Sequence, residues 1–140
     1  VNAYLRSSDG NIISSQSYDV TVPPMSVLTL EETDFKKTDV LNNYYSYELV
    51  VDGEVVSDGT VLFTAPKHFK FKDPELSYRI EGNEIVVSAK NYAKNVEIYS
   101  DECDFILSDN FFDMNGGEKR VKVIKGTPTA IKLRSVYDIK

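Results

Sequence analysis

Alternation of apolar and polar residues with a period of two, ended by turn residues, is the feature that most constrains the fold. It is clearest at Tyr45, Tyr47, Leu49 and Val51, which lead into Asp52-Gly53. A strand places successive side chains on opposite faces of a sheet, so this pattern predicts a strand with one apolar face. Asp-Gly between two such strands predicts a two-residue hairpin, because both turn residues must adopt positive φ.

The same pattern recurs along the whole chain and predicts an all-β protein. Helical periodicity is nearly absent, and the polar stretch 31–43 is the one place where we expect a short helical turn. The strand that returns from the first hairpin contains Ser57-Asp58-Gly59, which predicts a bulge or a second turn. The predicted strands are marked by Tyr4, Leu5, Val20, Val22, Val27, Leu28, Leu30, Val55, Val56, Val61, Phe63, Leu76, Tyr78, Ile80, Ile85, Val87, Ala89, Val96, Ile98, Tyr99, Phe105, Leu107, Val121, Val123, Ile131, Leu133 and Tyr137.

A connector divides the pattern into two halves. Pro66 and Pro74 bracket it, and lysines alternate with Phe69 and Phe71 between them. Proline cannot donate a hydrogen bond to a sheet, so both positions predict a break between strands. The aromatic residues are too many for a free linker, and we expect them to pack between two lobes. The predicted fold is therefore all-β, with two small immunoglobulin-like β-sandwich lobes in tandem, a partial one at 1–66, a connector at 67–74 and a second at 75–140.

Charge and apolar content argue against two classes of partner. The formal net charge is −6, whereas nucleic-acid binding requires a concentrated basic surface, and the nearest basic group is Lys67, Lys70 and Lys72. The apolar runs are too short to span a membrane. We therefore predict no nucleic acid and no membrane as partner. Cys103 is the single cysteine, which favours a reducing compartment, so we expect a cytoplasmic location.

Few residues could supply catalytic or metal chemistry. His68 and Cys103 are far apart in sequence, and Glu102 and Asp104 beside the cysteine predict a raised thiol pKa, which disfavours a reactive thiolate. A zinc site lacks ligands. With 22 acidic residues some carboxylate pair always has a glycosidase spacing, so the acid count carries no information. We predict no catalytic residue, no cofactor and no metal ligand.

Two features leave a binding function open, as a stand-alone carbohydrate-binding or adhesin-type β-sandwich module that could depend on calcium. The acids of residues 101–113 offer oxygen ligands, although they lack the full pattern of a calcium loop; alternatively, Asp109 and Asn110 cap a turn. The close tyrosines 44, 45 and 47 could form a platform for a sugar, but on a strand such residues are more often half-buried core. The acids are Asp101, Glu102, Asp104, Asp109 and Asp113, and the tyrosines are Tyr44, Tyr45 and Tyr47.

Two stretches resemble the β-mannosidases of glycoside hydrolase family 2. Residues 61–69 (VLFTAPKHF) with 73–76 (DPEL) are similar to the junction between their last two β-sandwich domains. Residues 107–114 (LSDNFFDM) with Gly117-Glu118 are similar to the hallmark of their C-terminal immunoglobulin-like domain. The early segments LRSSDG, YDVTVP and SV look like the sandwich domain that precedes it.

The resemblance implies a non-catalytic C-terminal region of an enzyme of carbohydrate metabolism. Such enzymes release β-linked mannose by a retaining mechanism with two glutamates of a TIM barrel, and no part of this chain corresponds to that barrel. The implied partner is the upstream catalytic barrel of the same parent chain. The implied role is to brace the barrel, shape its entrance or mediate subunit contacts. The residues expected to pack at these joints are Phe69, Phe71, Phe111 and Phe112.

Two departures from the family matter. The family's preceding sandwich has further strands before the segment matched by residues 1–10, so we expect a truncated first lobe with an open sheet edge. Open edges recruit partners, which predicts a homo-oligomer through that edge or strong dependence on the second lobe. Met114-Asn115-Gly116 stands where a Leu-Pro-like stretch is common, which affects only a turn.

Overall fold

Antiparallel strands dominate the computed structural model, which describes residues 1–31 and 37–139. The described part of the chain has a single short helix, and no helix there is long and apolar enough to cross a membrane. The strands are β1 (Asn2–Ser7), β2 (Ile12–Ser17), β3 (Asn43–Val51), β4 (Glu54–Leu62), β5 (Ser77–Glu81), β6 (Glu84–Ala89), β7 (Ala93–Tyr99), β8 (Ile106–Leu107), β9 (Phe112–Met114), β10 (Gly117–Lys125) and β11 (Lys132–Arg134), and the helix is α1 (Val136–Ile139).

The first lobe is a four-stranded sheet in the order β2-β1-β3-β4. The predicted hairpin joins β3 to β4, and Asp52 and Gly53 have φ angles of 53° and 83° as the two-residue turn requires. Leu49 pairs with Ser57 whereas the next residue of β3 pairs with Val55, so Val56 is the extra residue of a bulge. The predicted bulge therefore lies directly before the Ser57-Asp58-Gly59 triplet.

Residues 18–31 form no strand, contrary to the prediction from Val20, Val22, Val27, Leu28 and Leu30. Pro23-Pro24 removes two consecutive backbone donors, so this stretch cannot continue a sheet ladder. It forms an irregular segment with a turn at Pro24 and Met25, and most of its apolar side chains are exposed, with Val27 93% exposed. Alternation wrongly predicted strands here because the segment has the sequence period of a strand but no partner strand to pair with.

The predicted helical turn at 31–43 falls partly outside the described residues, which omit 32–36. Within the described part, the Asp39 carbonyl accepts hydrogen bonds from the backbone N–H groups of Asn42 (3.2 Å) and Asn43 (2.8 Å). The Asp39 carboxylate also accepts from the Leu41 N–H and the Asn42 amide. Residues 39–43 therefore make a single hydrogen-bonded turn that leads directly into β3.

The second lobe is a sandwich of two sheets, in the orders β5-β6-β10-β8 and β11-β7-β9. Their inner faces enclose one apolar core, as the predicted immunoglobulin-like fold requires. Strand β9 was missed from sequence because it has only three residues and begins at the second residue of the Phe111-Phe112 pair. The buried core residues are Ile85, Val87, Ala89, Ala93, Val96, Ile98, Phe112, Met114, Val121 and Ile131.

Tyr137 lies in helix α1. Its apolar neighbours had predicted that it belongs to the last strand, and that prediction was wrong. The Ser135 hydroxyl accepts a hydrogen bond from the Tyr137 N–H (3.3 Å), and the Asp138 carboxylate accepts one from the Ser135 N–H (2.7 Å). This is the reciprocal arrangement of a capping box, which is worth about 1 kcal/mol to a helix start. The Ser-x-x-Asp spacing was therefore the local signal for the helix.

Asn110 fixes the loop before β9 to strand β7. Its side-chain oxygen accepts from the Ile98 N–H (2.8 Å), and its amide donates to the Ile98 carbonyl (3.0 Å). The same oxygen accepts from the Phe111 N–H, so the predicted turn cap exists at Asn110. Asp109 takes no part in this turn cap and instead forms an ion pair with Lys119 (2.7 Å).

Replacing Asn110 with alanine should lower the free energy of unfolding by about 1–3 kcal/mol, since it leaves a partly buried backbone N–H unpaired. Urea denaturation followed by circular dichroism measures the loss. Asp109→Ala is the matched control, because it removes only a neighbouring exposed ion pair and should cost less than about 1 kcal/mol. Equal losses in the two variants would contradict this role for Asn110.

Candidate functional site

A cluster of four aromatic side chains joins the two lobes. Tyr44 comes from β3, Tyr92 from the loop before β7, and Phe69 and Phe71 from the connector; all four are buried. The Tyr44 and Tyr92 rings are stacked with centroids 3.7 Å apart, and Phe69 meets both rings edge-on. Burial raises the pKa of both tyrosine hydroxyls, so they stay neutral and serve as hydrogen-bonding groups.

Polar side chains around this aromatic cluster satisfy its hydroxyls and link the lobes again. The Tyr44 hydroxyl donates to the Asn115 side-chain oxygen (2.9 Å), and the Tyr92 hydroxyl is hydrogen-bonded to Thr60 (2.6 Å). Thr60 of β4 in turn donates to the Asp113 carboxylate of β9, which also holds the Lys94 ammonium group at 3.1 Å. The hydrogen bonds of Tyr44 with Asn115 and of Thr60 with Tyr92 and Asp113 each join one lobe to the other, whereas the Lys94–Asp113 ion pair lies within the second lobe.

Backbone contacts complete the joint. The turn at Gly10 lies against the β9–β10 turn so closely that a Cβ on Gly10 would fall on the Asn115 carbonyl oxygen. The Tyr92 N–H donates to the Ser8 carbonyl (3.4 Å), and the Lys70 N–H of the connector donates to the Leu41 carbonyl (2.8 Å). The two lobes therefore meet through their main chains as well as through side chains.

Asp9 ties the Gly10 turn to the connector. Its carboxylate accepts a hydrogen bond from the Ser7 hydroxyl and forms an ion pair with Lys72 (3.0 Å). These contacts, the Ser7 hydrogen bond first, lower the pKa of Asp9 to about 2 from its ordinary 3.8. The ionised carboxylate is thus preferred in the folded chain.

We expect Asp9 to make the chain less stable in acid. Because its pKa is lower in the folded than in the unfolded state, its contribution is complete above about pH 4 and is lost as the pH falls through 2. Solvent screening limits the loss to about 1 kcal/mol. Urea unfolding of the parent sequence and of Asp9→Asn across this range measures it, and parallel pH profiles would contradict the assignment.

A polar cleft lies beside the joint, between β4 and the β9–β10 turn. It consists of two adjoining cavities of about 280 and 450 Å³. Phe111 lines the smaller one, is 58% exposed and has a φ of 60°. Four residues line both cavities and make them one continuous surface: Asp58, Asp113, Asn115 and Lys119.

The four phenylalanines predicted to pack at joints have three different environments. Phe69 and Phe71 are buried in the joint, as expected. Phe112 is buried in the second-lobe core instead, with the Lys119 ammonium 4.5 Å from its ring centroid. Phe111 does not pack between the lobes, because its positive φ turns it out toward the cleft.

The predicted tyrosine platform does not exist as a set. Tyr44 is buried in the joint, Tyr45 is half-buried on the opposite face of the sheet, and the Tyr47 ring covers Gly59. A Cβ on Gly59 would lie 2.6 Å from the Tyr47 hydroxyl, so the glycine is what allows this ring to cross β4. These tyrosines therefore serve mainly the sheet and the joint.

The acids of residues 101–113 point to separate partners. Asp101 forms an ion pair with Lys132, Asp109 with Lys119 and Asp113 with Lys94. In the part of the chain that the structure describes, no three histidine, cysteine or acidic side chains are placed to hold a metal ion. The calcium alternative therefore gains no support from this loop.

The prediction for Cys103 was wrong in direction. Hydrogen bonds from the Thr129 hydroxyl (3.4 Å) and the Thr129 N–H (3.3 Å) lower the pKa of the thiol, and they outweigh the neighbouring Glu102. Sequence proximity of acids could not reveal this, since Thr129 lies on a distant loop. His68 is exposed in the connector.

Sequence reasoning predicted Phe69 and Phe71 in the joint but missed their partners. Tyr92 had no strand pattern around it, and Asn115 was noted only as a turn residue. Gly10 was named in the segment LRSSDG, but its contact with the second lobe was not predicted. Each of these residues finds its partner far along the chain, so no local pattern signals the contact.

Comparison with protein families gives a match for each lobe. The model of the mannosidase Ig/CBM-like domain matches residues 1–68. The model of the Ig-fold domain of mannosidases matches residues 71–139. A search of curated proteins gave no match.

Proposed function

Because the chain belongs to the immunoglobulin-like domains of mannosidases, one such domain in each half, we propose that it is the C-terminal accessory region of a retaining β-mannosidase of glycoside hydrolase family 2. Domains of this kind are accessory parts of mannosidase-like enzymes. In our proposal the region braces the upstream catalytic barrel, which carries the chemistry. The observation that supports this role is the difference between the surfaces of the two lobes.

The free face of the first sheet is apolar. The sheet uses the face that carries Tyr44 and Thr60 for the joint, and the opposite face carries Leu49, Val51 and Val61, which are 38%, 48% and 50% exposed. Segment 18–31 adds further exposed apolar side chains. A patch of this kind is typical of a surface that contacts another protein part.

The outer face of the second lobe is charged, and its charged side chains pair with one another. Arg79 binds Glu118 and Glu81, while Arg120 binds Glu81 and Glu84, which makes one continuous ion network across β5, β6 and β10. Burying such a network would carry a large desolvation cost. The first lobe is therefore the side that we assign to the barrel.

The location of the chemistry is tested with p-nitrophenyl β-mannoside. We expect hydrolysis by the full-length product of the gene and none by residues 1–140 alone. Hydrolysis by the isolated region would contradict an accessory role. If the full-length product hydrolyses another p-nitrophenyl glycoside but not the β-mannoside, the mannoside assignment is rejected and the accessory role is kept.

The bracing role is tested by substitutions in the full-length enzyme. Val51→Lys places a charge on the free face of the first sheet, and Ile124→Lys places the same charge on the exposed outer face of the second lobe. We expect faster thermal inactivation for Val51→Lys than for Ile124→Lys. Equal inactivation rates, with both variants folded, would reject the first lobe as the contact surface.

For the isolated region we propose self-association through an open edge of the first sheet. Among the described strands, β2 and β4 each pair on one side only, and β2 carries no charged residue that would disfavour a further strand. Sedimentation equilibrium should show a mass that rises with concentration, and Ser15→Lys should suppress the rise. A monomer at every concentration would contradict this proposal.

A further inference from the structure

We propose that the cleft beside the joint binds a neutral oligosaccharide, with Phe111 as the stacking surface. This function goes beyond an accessory role and does not depend on it. The cleft lies where the two lobes meet, and such boundaries between domains are frequent ligand sites. Its two cavities, of about 280 and 450 Å³, share four lining residues, so together they offer room for more than one sugar unit.

Phe111 is the first argument for a ligand. An aromatic residue at a φ of 60° is strained, because only glycine and, less readily, asparagine and aspartate adopt this region without cost. The ring also remains largely exposed, so packing within the chain does not offset the strain. Strained residues of this kind concentrate at binding sites. The exposed ring offers an apolar platform for the flat face of a pyranose.

The polar lining is the second argument, since its five carboxylates outnumber its two basic side chains and make it net negative and rich in acceptors. Asp109 is paired with Lys119, and Asp113 with Lys94. A carboxylate in an ion pair still has lone pairs that accept hydrogen bonds from sugar hydroxyls. The ammonium and amide groups of the lining can donate in return. Neutral polyhydroxylated ligands match this lining, whereas anionic saccharides would be repelled by it.

Asp58 is the third argument. It lies directly opposite Glu48 in the β3–β4 ladder, and both line the cleft. Like charges in this arrangement are unfavourable. Within residues 1–31 and 37–139 the Asp58 carboxylate has no hydrogen-bond or ion-pair partner, so it is free to accept from a ligand. Asp58 and Phe111 line the same cavity from opposite lobes.

The test is titration of the 140-residue chain with mannotetraose and with cellotetraose, followed by nuclear magnetic resonance of the backbone amides. We expect shifts at Asp58, Phe111 and Asn115 with at least one saccharide. Phe111→Gly relieves the backbone strain and removes the ring, so its melting temperature should be unchanged or higher while its affinity falls about tenfold. Tyr78→Ala, at an exposed tyrosine outside the cleft, should keep the affinity.

Three results would overturn the proposal. The first is the absence of shifts with both saccharides at millimolar concentration. The second is unchanged affinity in Phe111→Gly. The third is shifts at the cleft with an oligolysine peptide or calcium chloride but with neither saccharide, which would assign the cleft to cations. None of these results bears on whether the parent enzyme hydrolyses mannosides, so the two proposals fail separately.

Discussion

Replacing Tyr92 with alanine should lower the free energy of unfolding by about 3–5 kcal/mol, the range for truncating a large buried aromatic residue. Tyr92 is 0% exposed and contacts all three other members of the aromatic cluster. Truncation would open a cavity between the lobes that the rigid sheets on either side cannot close. Urea denaturation monitored by far-ultraviolet circular dichroism measures the loss.

Tyr92→Phe separates the ring from the hydroxyl. It keeps the stacking with Tyr44 and Phe71, and Thr60 retains its hydrogen bond to Asp113, so the loss should be only about 1 kcal/mol. A Tyr92→Ala variant within about 1 kcal/mol of the parent sequence would show that the joint does not contribute to stability.

The same alanine variant should uncouple the lobes. We expect hydrogen exchange in β1 and β3 to accelerate more than in β6 and β10, because the first sheet loses the buried cluster that packs against it while the second lobe keeps its own core. Uniform acceleration over both lobes would indicate that they unfold as one unit even without the Tyr92 ring.

Replacing Gly10 with alanine should cost about 2–4 kcal/mol, the second large effect that we expect. Its φ of 82° disfavours any side chain, and the added methyl group would meet the backbone of Asn115 from the other lobe. Backbone atoms cannot rotate away as a flexible side chain can, so the lobes must move apart.

Gly53→Ala is the matched control for this substitution. Gly53 has a φ of 83° but nothing within 4 Å of the position of an added Cβ. It should therefore cost only the conformational strain, about 1 kcal/mol. The difference between the two variants, measured by urea denaturation, isolates the contact between the lobes. Equal losses would mean that the contact at Gly10 carries no energy.

The sequence predicted well those features that local patterns encode. The β3–β4 hairpin follows from alternation and from the Asp52-Gly53 turn, and the burial of Phe69 and Phe71 follows from an aromatic connector between prolines. The strands predicted in segment 18–31 were wrong because alternation cannot show whether a partner strand exists. The strand predicted at Tyr137 was wrong because a capping box starts a helix there despite the apolar pattern.

The candidate site could not be predicted from local sequence patterns, because its residues are far apart in the chain. Tyr44 and Asn115 are 71 residues apart in sequence, and Thr60 and Asp113 are 53 apart. Neither residue of such a pair has a neighbourhood that signals the other. The cleft arises only when the two lobes are placed together, so its lining residues share no motif. Phe111 could be noted as part of an aromatic pair, but its positive φ could not.

The interlocking of the Gly10 turn, Tyr44 and Thr60 with Tyr92, Asp113 and Asn115 also limits how such proteins can be recombined. A crossover within the connector would join a first lobe from one relative to a second lobe from another. The chimaera would lack matching partners on the two sides of the joint. Functional exchange between related enzymes should therefore transfer both lobes together, with no crossover inside either lobe or the connector.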